Sequence, residues 1–221
     1  MNAKREGEGR GAWPIKLARL VVDYPIARAH ERRGGHPIHE LVREVRHGVI
    51  RTLGEELGED ALRSTWRVRA STGRGEAWAN VCWFAAMQRG ETESARDGRY
   101  LAILCDVEGR HFIQAIAWGT AAFRQLHEGE QRDVRALLRA RRRGLEDWLC
   151  ERVDTSRFQV NEDVDLGATT ELARDYEASC LVWRSYAVGE DLSSVREDLL
   201  TLSRVYMDMI GGKDRAQVTP S

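Results

Sequence analysis

Residues 100–118 read YLAILCDVEGRHFIQAIAW, two apolar runs at 100–107 and 111–118 joined by a short turn at Glu108 and Gly109. Runs of this length, bounded by a glycine turn, predict adjacent strands. Upstream, the run VCWFAAM at 81–87 predicts a third strand, set off from the first two by the polar stretch 88–99. Before it, Trp66, Val68 and Ala70 alternate with Arg67, Arg69 and Ser71, which suits a strand with one buried and one basic face, and Gly73 and Gly75 mark a turn. Together these segments predict three or four strands of a mostly antiparallel sheet, and CLVWRSYAV at 180–188 supplies another candidate strand.

Helical spacing surrounds this block. Ile38, Leu41, Val42, Val45, Val49, Ile50 and Leu53 share one helix face, with Gly54 and Gly58 ending it, and Leu192, Val195, Leu199, Leu202, Val205, Tyr206 and Met209 share another, stopped by Gly211 and Gly212. A further helix is predicted over 15–32, interrupted or kinked at Pro25, and helix returns over 119–150. Residues 151–170 read as a polar, acidic connection. The fold class that follows is α+β, a mostly antiparallel central sheet flanked by amphipathic helices. The expected organisation is a disordered tail over 1–12, one domain over 13–212 and a C-terminal tail over 213–221.

At 221 residues and 42% hydrophobic content the chain buries a real core. The sequence offers neither an apolar run of membrane-spanning length nor a leader pattern, so a cytoplasmic protein with no membrane partner is expected. Cys82, Cys105, Cys150 and Cys180 are widely spaced, form no metal-ligand motif, and read as reduced thiols. The net charge of -1 hides a segregation. Residues 61–75 carry four arginines and no acid, 132–143 carry six arginines against one aspartate, and 151–177 carry eight acids against three arginines. A positive and a negative face are therefore expected within one fold.

Catalytic chemistry finds little support. Phosphodiester cleavage needs clustered carboxylates with a lysine, or histidines with metal-binding partners. Asp106 and Glu108 lack the lysine, and His36 and His39 flank a helix start, where capping or solvated roles prevail. GRGEAWAN at 73–80 lacks the lysine and hydroxyl ending of a phosphate loop. The zinc-binding cysteines and glutamate of a nucleobase deaminase are absent. We therefore expect no enzyme, no metal and no cofactor. Most of the seven tryptophans should be core. Trp83, Tyr100 and Tyr176 differ, each standing beside a glycine turn or polar loop where a pocket mouth can form. Tyr100 and Leu104 are evenly spaced on one strand face, so they can line one cavity.

The order of these motifs, from the strand ending at Ser71 through GRGEAWA, NVCWFAAM, GRYLAILC and HFIQAIAWG, resembles the N-terminal DNA-recognition domain of the McrB-type methylcytosine-directed restriction proteins. GHPIHELVREVRHGVI upstream and DYEASCLVWRSY downstream resemble its flanks, so the likeness covers roughly residues 34–210. It implies a module that binds double-stranded DNA, flips out a modified cytosine, 5-methylcytosine or 5-hydroxymethylcytosine, and stacks it in an aromatic pocket. By motif position Trp83 supplies a wall, Tyr100 and Leu104 line the cavity, and Tyr176 closes it. Arg74 takes the place of a side chain that enters the DNA. Arg67, Arg69 and Asn80 contact phosphate or support the turn. Cys82 stands where the family commonly has proline. The resemblance further implies a role in modification-dependent restriction and phage defence, with a separate nuclease or motor subunit as partner. The rival reading is a protein-interaction or regulatory module that keeps the fold without DNA binding, in line with the neutral charge.

Overall fold

The structure is a computed structural model that describes residues 12–29, 34–126 and 133–213. In chain order it runs α1 (Trp13–Ala29), α2 (Ile38–Leu57), α3 (Glu59–Thr65), β1 (Trp66–Arg74), β2 (Ala77–Gln88), β3 (Arg99–Cys105), β4 (His111–Trp118), α4 (Thr120–Leu126), α5 (Val134–Arg143), α6 (Glu146–Cys150), β5 (Gln159–Val160), α7 (Glu171–Ser179), β6 (Cys180–Ala187) and α8 (Val195–Asp208). The strands form one sheet in the order β1-β2-β3-β4-β6-β5, every neighbouring pair antiparallel. The α+β class read from the sequence is what the chain adopts. The tails expected over 1–12 and 213–221 fall almost wholly outside the described residues.

Both faces of the central strands are covered, which is why β2, β3 and β4 read as unbroken apolar runs rather than alternating ones. On one face Cys82, Phe84, Leu101, Ile103, Cys105, Phe112 and Ile116 meet α1, α2 and α8 in the main core. On the other, Val81, Ala85, Met87, Tyr100, Ala102, Leu104, Ile113 and Ala115 form a smaller core with Val164, Leu166 and Ala173. The candidate pocket belongs to this thinner layer.

The helices explain themselves at their tightest contacts. Gly48 of α2 lies against Trp13 of α1; a Cβ there would stand 2.2 Å from the Trp13 Cβ. That closeness lets the Trp13 indole donate to Thr52 Oγ1 at 3.0 Å. Pro25 lies inside α1 rather than ending it. It cannot donate to the Val21 carbonyl one turn back, and Gly109 of the β3–β4 turn packs there, where a Cβ would stand 3.0 Å from Val21 O, a tight contact.

Three sequence expectations change. Gly54 lies within α2, and Gly58 alone ends it, with φ +82°. The helical stretch expected over 119–150 is divided into α4, α5 and α6: Asp133 caps α5 by accepting from the Arg135 amide at 2.9 Å, and Gly144 ends it. Residues 171–179, unassigned from sequence, form α7, capped by Thr170, whose Oγ1 accepts from the Ala173 amide at 3.3 Å.

Candidate nucleic-acid interface

Trp83 and Leu104 stand directly opposite each other on β2 and β3, with Tyr100 four residues from Leu104 on the same face. Tyr176 of α7 crosses above them, and these four side chains, with Phe84 and with Ala95 of the β2–β3 loop, line one cavity. Three elements distant in sequence thus converge on it. Tyr100 and Leu104 are buried at 4% exposure each, and burial pushes the Tyr100 phenol far above its ordinary value. Its hydroxyl donates to the Trp118 carbonyl at 3.5 Å. Trp83 and Tyr176 are only partly buried. Burial and the Asp175 charge raise the Tyr176 phenol, while Arg124 and Arg96 pull it back.

The cavity is closed down. Its space for the centre of a water-sized molecule is about 10 Å³, room for about one water. A pyrimidine ring is several times larger, so admitting one requires side chains to move. The two that can do so without opening the core are Trp83 and Tyr176, the partly exposed pair.

The register of β1 on β2 sets what borders the pocket. Arg67 pairs with Met87, Arg69 with Ala85 and Ser71 with Trp83, so these residues line the edge of the sheet on the pocket face. Between Ser71 and Gly73 the register breaks, and Thr72 alone stands against residues 79–82. A bulge of this kind re-aims neighbouring side chains. The Tyr24 hydroxyl holds it, 2.9 Å from the Ala79 carbonyl and 3.1 Å from that of Thr72. Gly73 sits at φ +132°, and a Cβ there would lie 2.0 Å from the Ala77 carbonyl. Only glycine fits that position.

The hairpin tip is anchored from outside the sheet. Trp78 stacks on His39, with ring centroids 5.9 Å apart and planes at 14°, and meets Tyr24 and His36 edge-on. His36 Nδ1 also accepts from the Ile38 amide at 3.2 Å, which makes it a helix-start cap. Sequence reading left Trp78 unassigned because its partners lie about forty and fifty residues upstream.

The candidate polar residues divide. Arg69 and Arg74 are exposed and make no ion pair among the described residues; Arg74 ends β1 beside the two-residue turn Gly75–Glu76, opposite Ala77. Arg67 is tied to Glu93 at 3.0 Å. Asn80 is committed to Thr169, donating to its Oγ1 at 3.2 Å and accepting from its amide at 3.4 Å, so it braces β2 against the lead-in to α7.

The segregated faces expected from sequence do not form around α5. Arg139 and Arg142 both bind Asp163, at 2.6 and 2.9 Å, Arg135 pairs with Glu171, and Arg141 lies over the rings of Trp118 and Phe123. The acidic connection and the basic helix neutralise each other. Asp106 is likewise structural. Burial would raise its carboxyl, but hydrogen bonds from Arg110 and the Glu108 amide, with the His111 and Arg110 charges, hold it below the ordinary range. All four cysteines are free thiols, with Cys150 exposed and Cys82 buried on the face away from the pocket. Among the described residues no cluster of three or more His, Cys, Asp and Glu is placed to hold a metal ion, and no helix is long and apolar enough to cross a membrane.

Compared with known protein families, the chain matches the one described as MrcB-like, N-terminal domain, over residues 19–211. The chain belongs to this family. The MrcB-like match takes in every strand and all four pocket residues, beginning inside α1 and ending just past α8. It reaches further upstream than the motif order alone, which began at residue 34. Comparison with curated proteins gives no match, and comparison with solved structures gives none.

Proposed function

We propose that this MrcB-like domain binds double-stranded DNA carrying 5-methylcytosine or 5-hydroxymethylcytosine, and holds the flipped base between Trp83 and Tyr176 above Tyr100 and Leu104. The observation that carries the reading is the convergence of these four side chains on one cavity, beside a sheet edge where Arg69 and Arg74 are uncommitted. An extruded base needs flat apolar walls to recover its lost stacking, worth about 1–3 kcal/mol per aromatic contact. In the free protein Trp83 and Tyr176 both line the closed cavity, and the base takes the space they vacate. Arg74, next to the anchored hairpin turn, enters the duplex where the base has left it, and Arg69 contacts the backbone. Arg67 joins it once released from Glu93.

In this reading the domain performs no chemistry. It is the recognition component of a modification-dependent restriction or phage-defence system, and a nuclease or motor subunit acts on the DNA it marks. No cofactor enters.

A fluorescence-anisotropy titration against matched duplexes carrying cytosine, 5-methylcytosine or 5-hydroxymethylcytosine, at two salt concentrations, tests this. Tighter binding to one modified duplex is expected. Equal affinity for all three would overturn base recognition. No binding at either salt would favour the protein-interaction reading, to which the mutual neutralisation of α5 and the acidic connection already lends weight.

A further inference from the structure

Ala95 lines the pocket from the β2–β3 loop, residues 89–98, and the next residue is Arg96. No motif reading singled it out. Its side chain is exposed and makes no hydrogen bond or ion pair among the described residues. Three arginines nearby are occupied: Arg99 grips Glu91 through two bonds of 2.8 and 3.2 Å, Arg67 holds Glu93, and Arg124 holds the buried Asp175 at 2.6 Å. Asp97 is the neighbouring exposed acid of the loop.

The backbone under Arg96 is fixed. Its amide donates to Ser94 Oγ at 3.1 Å, its carbonyl accepts from the Ala121 amide at 3.0 Å, and the Gly119 amide donates to the Gly98 carbonyl at 2.7 Å. The contact with Gly119 is so close that a Cβ there would lie 2.3 Å from the Arg96 carbonyl carbon. Thr92, itself buried, ties the start of the loop through Ser94 at 2.8 and 3.1 Å. An unpaired guanidinium is therefore held on a rigid loop at the rim of the cavity. It stands close enough to Tyr176 for its charge to act on the phenol.

The geometry points to Arg96 as the residue that grips a DNA phosphate flanking the extruded nucleotide. This rests on the base-pocket reading. A nucleotide rotated out of the stack swings its own phosphates toward the pocket rim, and an arginine presents a fork matched to phosphate oxygens. A pre-fixed cation there favours the flipped state over the stacked one. The contact would therefore weigh more on modified than on plain DNA.

The test uses the full chain and three duplexes: unmodified, 5-methylcytosine, and 5-methylcytosine with neutral methylphosphonates on either side of the modified base. Arg96→Gln should melt like the wild type, because the guanidinium has no partner to lose among the described residues. It should bind the modified duplex on the order of tenfold more weakly, with a log-log salt slope shallower by about 0.9. Arg96→Lys should keep the slope. Neutralising the flanking phosphates should weaken the wild type and leave Arg96→Gln unchanged. Equal losses in both proteins, or an unaltered Arg96→Gln, would overturn the inference while the pocket reading stands. A wild type that does not distinguish the modified from the unmodified duplex would overturn both.

Discussion

Arg142 and Asp163 meet across the junction between the basic helix α5 and the acidic connection that follows it, Nη2 to Oδ1 at 2.9 Å. Arg142 is 3% exposed. Its remaining donors reach the carbonyls of Asn161, Glu162 and Cys180 and the Asn161 side chain, at 2.9 to 3.3 Å. A residue that looks in sequence like one cation of a nucleic-acid patch is thus the hub joining α5, the connection and the first residue of β6. Arg139 binds the same aspartate. Arg135, Arg139, Arg141 and Arg142 of α5 serve the fold, and the exposed arginines that make no ion pair among the described residues include Arg69, Arg74 and Arg96.

Replacing Arg142 by alanine should therefore destabilise the domain without touching DNA contacts. The substitution takes the guanidinium from the Asn161 and Cys180 carbonyls and removes one of the two arginines that bind Asp163, a loss of about 3 kcal/mol. For a domain of this size that lowers Tm by roughly 6–12 °C. Thermal melts check it. A melting point within a degree or two of the wild type would mean that water replaces the guanidinium at no loss.

Salt dependence separates the two groups of arginines. Each phosphate contact contributes about 0.9 to the slope of log K against log salt. Arg69→Gln should flatten that slope by about one contact, whereas Arg139→Gln, whose guanidinium is already committed to Asp163, should leave it unchanged. Anisotropy titrations at four salt concentrations resolve the difference. A flattened slope in Arg139→Gln alone would place the DNA on the α5 side.

The sequence discloses whatever depends on local period. The run 100–118 is legible because its strands are buried on both faces, and the even spacing of Tyr100 and Leu104 puts them on one strand face without any knowledge of pairing. What stays hidden depends on partners distant along the chain. Arg142 and Asp163 are 21 residues apart, and no spacing rule links them. The bulge opposite Thr72 exists only relative to β2, so nothing within β1 announces it. Helix α7 was missed because nine residues carrying three acids and one arginine give only a weak apolar stripe. Arg96 looks like any loop arginine until Arg67, Arg99 and Arg124 prove to be paired with other groups.

Within the pocket the four residues should behave as two pairs. Trp83→Ala and Tyr176→Ala truncate partly exposed side chains, so both variants should fold and lose the preference for modified over plain DNA. Leu104→Ala empties a buried core position and should cost about 2–5 kcal/mol. Circular dichroism melts beside affinity ratios for the two duplexes distinguish these outcomes. If Trp83→Ala and Tyr176→Ala retained the wild-type ratio, the cavity would be core packing and nothing more.

Acid should unfold the domain through its structural carboxylates. Burial would raise the Asp163 carboxyl, yet hydrogen bonds and charge from Arg139 and Arg142 hold it below its ordinary value, and Asp106 is held down in the same sense. A carboxylate lowered in the folded state binds fewer protons there than in the unfolded chain, so it favours folding. Its contribution is complete above the unfolded value of about 3.9 and disappears as pH falls through the lower folded value. Urea midpoints should accordingly stay level from pH 7 to about 5 and drop steeply below about 4. Asp163→Asn should start lower at pH 7, because the amide leaves Arg142 without its counter-charge, and should then fall less steeply in acid. An acid limb as steep as the wild type's would assign the transition to other carboxylates, with Asp106 the first to substitute.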